Sequence, residues 1–312
     1  MDAYLALRES LWHRATKERY IFISLDRHLK DSGFHGQDIP PDIIDSWLAS
    51  LTESLNVNTV NVYISHYAQF AGYLRSFGYT AFIPEKSIGD KTYVPYIFDK
   101  DEISALVKAA DNLLASLPER HRHNAACFTI MLRMLAGCGF RVNEVRLLKT
   151  RDVDMDRGIV YVKNAKGDRN RIVPMHSSLT EILRIYAGSG IPLVDGWFFP
   201  SANGSPVSYS WIRNAFGKCL GAIRIERPTL PKHSRGVCLH CVRHSYAVAA
   251  LRRLNANGID LYSEIPVLST YMGHENLYGT ERYLHMTVEN SYDIISKMEI
   301  FNKGLFPEVP EE

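Results

Sequence analysis

Tyr283 lies nine residues after His274 in the stretch Tyr271-Met-Gly-His-Glu-Asn-Leu-Tyr-Gly-Thr-Glu-Arg-Tyr-Leu-His285. Alone that spacing says little, because the chain has 17 tyrosines. Three earlier segments change its meaning. Arg141 and Glu144 stand three residues apart at a helix start and project to one side. Lys166 sits at the tip of an expected hairpin and is followed by Arg169 and Arg171, which makes a basic finger suited to phosphates. His240-Cys-Val-Arg243-His244 opens a helical run. There His240 and Arg243 share a face, and the free N–H groups of a helix start favour phosphate.

Each segment has an ordinary reading by itself: a surface ion pair, a solubilising lysine, a half-buried tyrosine. Together Arg141, Lys166, His240, Arg243, His274 and Tyr283 are residue types that let a phenol attack a phosphodiester. An unaided phenol has a pKa of about 10, so proton removal and charge neutralisation must be supplied by neighbours.

A metal reading competes at one place. Cys238, Cys241 and His244 are spaced by threes, but structural zinc usually needs four ligands in paired clusters, and the sequence has no second Cys pair. With no Gly-rich phosphate loop and no acidic metal cluster either, neither a metal nor a cofactor is expected. The five cysteines are expected to be reduced, two of them as small buried residues.

The elements that must position these residues read as mainly helical. Residues 3–30 carry Leu5, Leu11, Tyr20, Phe22 and Leu29 at roughly helical spacing. A second helix follows Pro40-Pro41, and a third starts at Asn56 and stops near Gly78. Ile83–Pro95 lacks periodicity and reads as an extended linker. Asp99 and Glu102 then supply N-terminal acids to another helix. One more runs through Asn124–Ala136 and breaks at Gly137-Cys-Gly139 before Arg141. Gly158–Lys163 and Arg169–Pro174 are short strands around a turn at 164–168. Helical patterns then continue almost without interruption to about residue 303, with Asn203-Gly204 and Pro228–Gly236 as loop segments. The expected organisation is a helical domain at 1–82, a linker at 83–95, a mostly helical domain with a small antiparallel sheet at 96–289, and a tail at 290–312.

Composition permits this. The chain has 312 residues, enough for two domains, and its hydrophobic content of 46% is ample for their cores. The formal net charge of +2 does not announce a nucleic-acid partner, so any basic surface must come from placement. No apolar run approaches the ~18 residues of a membrane span. The charged N-terminus does not read as a secretory signal, and a cytoplasmic, nucleoid-associated protein is expected.

The constellation resembles the tyrosine recombinase (phage integrase) family. Gly139-Phe-Arg-Val-Asn-Glu144 resembles its first arginine box and Lys166–Pro174 its lysine hairpin. His240-Cys-Val-Arg-His244 resembles its second arginine box, and Met272-Gly-His274 through Thr280-Glu-Arg-Tyr283 its nucleophile box. Asn143 stands where the family often has Ser, and the span from Arg243 to His274 is long, with Asp260–Pro266 as the apparent extra.

The resemblance implies a C-shaped DNA clamp with a core-site-binding helical domain before the catalytic one. It implies that Arg141 and Arg243 hold the non-bridging oxygens, Lys166 protonates the leaving 5′-oxygen and His240 accepts the proton of Tyr283. His274 would hydrogen-bond the phosphate, Glu144 would orient its basic neighbours, and Arg169, Arg171 and His244 are candidate DNA contacts. It implies site-specific recombination through a 3′-phosphotyrosyl intermediate and a Holliday junction, by a homo-tetramer on double-stranded core half-sites. The apolar stripe Ile294, Ile295, Met298, Phe301, Leu305 and Phe306 either packs on its own domain or docks on a neighbouring protomer, as such tails do in the family. Integration or excision of a mobile element is the expected role. A Xer-type resolvase, a type IB topoisomerase-like enzyme and a non-catalytic DNA-binding protein are the alternatives.

Overall fold

The computed structural model describes residues 1–11, 16–87, 94–163, 170–190, 196–225, 236–274, 276–281 and 283–284. They form two units, one of Met1–Val94 and one starting at Pro95. In the first, α1 (Asp2–Ser10), α2 (Thr16–Asp31), α3 (Pro41–Thr52) and α4 (Val57–Ser76) surround a core of Tyr4, Phe22, Trp47, Tyr67 and Phe70. The helix expected over residues 3–30 is thus two helices, with 12–15 outside the described residues. Pro41 takes the first position of α3, where its missing N–H costs little. Asn56 caps α4, its side chain accepting from Thr59 N at 2.8 Å. Of the expected linker, Ile83 packs against this core, and 88–93 lie outside the described residues.

In the second unit, α5 (Lys100–Ser116) starts at a reciprocal capping box between Asp99 and Glu102 and packs on α6 (Glu119–Cys138). After α7 (Val142–Arg146) comes a 3-10 turn at Thr150–Asp152, then β1 (Val153–Asp154), β2 (Ile159–Val162) and β3 (Arg171–Pro174). The three strands are antiparallel in that order, with Val160 opposite both Val153 and Val173, so that valines fill the buried face. The sequence pattern predicts two strands; β1, with only two residues, is too short to show an alternation. The hairpin tip at 164–169, with Lys166 and Arg169, lies outside the described residues.

Beyond the sheet come α8 (Ser177–Ala187), α9 (Tyr209–Ala222), α10 (Leu239–Ala256), α11 (Leu261–Met272) and α12 (Tyr278–Glu281). The expected loop at Asn203-Gly204 lies in a longer non-helical stretch between α8 and α9, where 196–208 runs through turns and the isolated bridges Lys149–Trp197 and Pro200–Pro206. In the long span before His274, Asp260 caps α11 by accepting from Tyr262 N and Ser263 N, and Pro266 lies inside that helix. The expected tail at 290–312 lies outside the described residues. Among the described residues no helix is long and apolar enough to cross a membrane.

A charge knot starts α7. Glu144 Oε1 accepts from Arg141 Nη1 at 2.8 Å and Arg171 Nη1 at 2.9 Å, while Oε2 accepts from Arg171 Nη2 and Arg141 N, both at 2.8 Å. Arg171 Nε donates to Tyr271 O at 2.8 Å, so the knot ties α7 and β3 to the end of α11. The Glu144 and Arg171 side chains are 8% and 7% exposed. Burial pushes the Glu144 carboxyl up, but the hydrogen bonds and charge of Arg171, then the donors of Arg141, outweigh it and hold the group at about 2.

Two glycines shape the helix ends beside this knot. Gly139 ends α6 at φ 65° and Gly273 ends α11 at φ 67°. A Cβ at Gly139 would stand 2.4 Å from Tyr246 Cδ1, and one at Gly273 2.7 Å from Arg171 Nη1.

Two stability predictions follow from these contacts. The folded-state pKa of Glu144 is depressed from 4.5 to about 2, so its contribution is complete above pH 4.5 and is lost as pH falls through 2. It amounts to about 3 kcal/mol by linkage. Urea unfolding between those limits will show that slope in the wild type and not in Glu144→Gln, which is also less stable at neutral pH. Gly139→Ala combines left-handed strain of about 1–2 kcal/mol with a clash against Tyr246, and will lower the thermal midpoint in calorimetry.

Candidate active site

The first four helical positions of α10 supply His240 and the residues leading to Arg243. Arg243 is 1% exposed, an unusual place for a guanidinium. Its Nη1 donates to Gly139 O at 2.7 Å and its Nη2 to Met272 O at 2.6 Å, so it joins the C-terminal ends of α6 and α11. Burial lowers its pKa to about 10, helped by Arg141 and opposed by Glu144 and Tyr283, and it remains a cation at neutral pH. Arg141 reaches the same place from the start of α7, with Nη2 donating to Gly273 O at 2.5 Å. Two guanidinium groups therefore sit on the carbonyl ends of two helices, where the macrodipole favours positive charge. Each terminal nitrogen carries a second N–H beyond those bonds.

His274 follows directly on Gly273. Its Nδ1 is 2.6 Å from Thr280 Oγ1, and Thr280 is fully buried in α12. Burial, then the charges of Arg243, Arg141, His240 and Arg171, depress the His274 pKa to about 3, so the ring is neutral throughout the ordinary pH range. Tyr283 is 1% exposed and packs in a cluster with Val248 and Leu251 of α10 and Ile265 and Leu268 of α11. Its hydroxyl lies 2.7 Å from His244 Nδ1. The His274 and Tyr283 ring centroids are 6.2 Å apart. His240 is exposed and meets His244 edge to face, with centroids 4.6 Å apart and an interplanar angle of 83°.

Of the six residues singled out in the sequence, Arg141, His240, Arg243, His274 and Tyr283 thus converge, and Lys166 lies outside the described residues. Two candidate DNA contacts are placed otherwise. Arg171 is drawn inward because β3 turns its side chain toward Glu144, and it serves as a strut. His244 is buried because its i+4 spacing from His240 carries it under that ring toward Tyr283. Arg169 lies outside the described residues. Cys238 and Cys241 hold their sulfurs 3.8 Å apart at the start of α10, while His244 Nδ1 is directed at Tyr283. Among the described residues no group of three or more His, Cys, Asp or Glu is placed to hold a metal ion.

Sequence reasoning missed Thr280 and Tyr246. Thr280, three residues before Tyr283, fixes the His274 ring, but a threonine in a short polar run carries no signal of its own. Tyr246 stacks on Tyr271, with centroids 5.9 Å apart, and its ring fills the space that Gly139 leaves.

Known proteins resemble this chain in sequence and in fold. A Sinorhizobium fredii protein named as an integrase/recombinase, y4rB, is 28% identical over 253 residues, 75% of this chain and 78% of its own length. A tyrosine recombinase of Thermosipho africanus is 25% identical over 79% of this chain and 78% of its own. Tyrosine recombinase XerC of Pelotomaculum thermopropionicum is 29% identical over 68% of this chain and 64% of its own. Among solved structures, XerH bound to its difH substrate superposes with a TM-score of 0.63 at 17% identity, covering 88% of this chain and 77% of that one. Lambda integrase (75–356) bound to a core site gives 0.62 at 15% identity, covering 90% and 93%. At those identities the likeness is one of fold. Residues 97–290, more than half of the sequence, match the model described as the phage integrase family, and the chain belongs to that family of DNA breaking and rejoining tyrosine recombinases.

Proposed function

We propose that this chain recombines double-stranded DNA at specific core sites, with Tyr283 as nucleophile. The observation that carries the proposal is the convergence of the Tyr283 hydroxyl, two guanidinium groups and the neutral His274 on the ends of α6, α10 and α11. The second N–H groups of Arg141 and Arg243 bind the non-bridging oxygens of the scissile phosphate and neutralise the charge that grows in the transition state. Thr280 Oγ1 donating to His274 Nδ1 leaves the ring proton on Nε2, the donor that a phosphate oxygen needs. Tyr283 Oη forms a bond to phosphorus while the P–O5′ bond breaks. Lys166 delivers a proton to the departing 5′-oxygen.

The resulting 3′-phosphotyrosyl bond stores the energy of the broken linkage, so a different 5′-hydroxyl can reverse the step and reseal without metal or nucleotide. Two rounds of exchange pass through a Holliday junction. The helical first unit binds the core site, and a homo-tetramer joined through residues 290–312 holds two duplexes. Relatives named integrase/recombinase support integration or excision of a mobile element, and Xer-named relatives support resolution of chromosomes or plasmids. Both use the same chemistry.

A nicked suicide substrate built from DNA flanking the gene tests this reading. Wild type will form a DNA adduct that survives denaturing electrophoresis, and Tyr283→Phe will form none. An adduct in the phenylalanine variant would remove Tyr283 from the role. Plasmid relaxation with no recombinant product would reassign the enzyme as a nicking-closing topoisomerase.

A further inference from the structure

Attack by Tyr283 requires a group that takes the phenolic proton from within hydrogen-bond reach, about 2.6–3.2 Å. Family resemblance gives that task to His240. The side chains are arranged otherwise. His240 is exposed, whereas His244, one turn further along α10, is 4% exposed and places Nδ1 2.7 Å from Tyr283 Oη. The two imidazoles meet edge to face, so the ring of His240 lies over that of His244 and limits its rotation.

We propose that His244 is a catalytic residue: it holds the Tyr283 hydroxyl and accepts its proton at Nδ1, while His240 acts as a positioning residue that fixes the His244 ring. The proposal rests on the reading of Tyr283 as nucleophile. In the forward step the Oη–H bond breaks, a bond between the proton and Nδ1 forms, and the freed electron pair on Oη makes the bond to phosphorus as P–O5′ breaks. His244 becomes an imidazolium, which requires its resting proton to be on Nε2. On rejoining, the 5′-hydroxyl gives its proton back to Lys166 as its oxygen attacks phosphorus, the P–Oη bond breaks, and the same imidazolium returns its proton to Oη. No oxidant, metal or further reactant enters.

The surroundings suit this assignment. Tyr283 is 1% exposed, so bulk water is poorly placed to take its proton directly. Among the described residues, the titratable and charged groups around the pair include His240 and Arg243 on α10, His274 after α11, Arg141 before α7, and the Arg171–Glu144 pair behind them. Of these, Arg243 bonds two main-chain carbonyls and His274 bonds Thr280, whereas His244 bonds the phenol.

The test is single-turnover adduct formation on nicked DNA between about pH 5 and 9, the range in which imidazoles titrate. It is run with the natural 5′-oxygen and with a 5′-bridging sulfur, a leaving group that needs no acid. His244→Gln keeps a hydrogen-bonding side chain but cannot titrate. It is expected to slow cleavage of both substrates at least about 100-fold and to abolish the acid limb of the pH profile. His240→Gln is expected to keep that limb with a smaller loss of rate. A wild-type rate and profile in His244→Gln overturns the proposal, as does full rescue by the sulfur substrate, which would assign His244 to the leaving group. If His244→Gln fails to fold, histidine-labelled wild type and Tyr283→Phe are compared by nitrogen NMR. One Nδ1 acceptor resonance is expected to move, and no movement overturns the contact. An adduct from Tyr283→Phe would instead defeat the nucleophile assignment, so the two failures are distinguishable.

Discussion

A single buried carboxylate governs how the second unit presents its cations. Glu144 takes four donors from Arg141 and Arg171, and those residues belong to segments that have no local reason to meet. A buried carboxylate with fewer donors would cost several kcal/mol in lost hydration. With all four donors in place the anion becomes the fixed point from which two guanidinium planes are set. Arg171 donates from all three of its nitrogens to Glu144 and to Tyr271 O, whereas Arg141 divides its fork between Glu144 and Gly273 O. The different placement of the two arginines therefore comes from geometry around one anion, since both residues have the same chemistry.

The second constraint is the pair of helix C-termini. Carbonyls at the end of a helix lack internal partners, and a left-handed glycine turns the chain so that they project together. Here Gly139 O, Met272 O and Gly273 O accept from Arg243 and Arg141. The arginines satisfy the helix ends, and the helix ends hold the arginines without neutralising them. A carboxylate in the same place would cancel the charge that an incoming phosphate needs. Dipolar carbonyls orient a guanidinium while leaving its net charge intact. The same turn at Gly273 buries His274 beside both arginines, and burial first, then their charges, holds its imidazole neutral.

The convergence of Arg141, His240, Arg243, His274 and Tyr283 was legible in the sequence because these are chemically loud residues at fixed spacings. The helices were legible where a cap stood before an apolar stripe, as at Asn56 and Asp99. What could not be read was set by partners distant in the chain. β1 exists because Val153 finds Val160, and two residues cannot show a period. The non-helical stretch extends to 196–208, beyond the Asn203-Gly204 turn that the sequence marks, because Phe198, Phe199 and Val207 fill the core through turns. Side-chain type makes Arg171 and His244 candidate DNA contacts; the direction that turns them inward is not carried by the sequence.

Direction is also what separates the two forces on Tyr283. Burial of its ring among Val248, Leu251, Ile265 and Leu268 contributes on the order of 2 kcal/mol, and one hydrogen bond contributes about 1. Packing against the backs of α10 and α11 therefore decides where the ring sits, while the polar end decides which way the hydroxyl looks. Apolar packing is tolerant of small rotations and a hydrogen bond is not. The aliphatic cluster can thus seat the Tyr283 ring without fixing the direction of its hydroxyl, and that direction falls to the imidazole that touches Oη. Under the proposal that His244 takes the phenolic proton, position and proton transfer join in one side chain, four residues along the helix from the exposed histidine that the motif makes conspicuous.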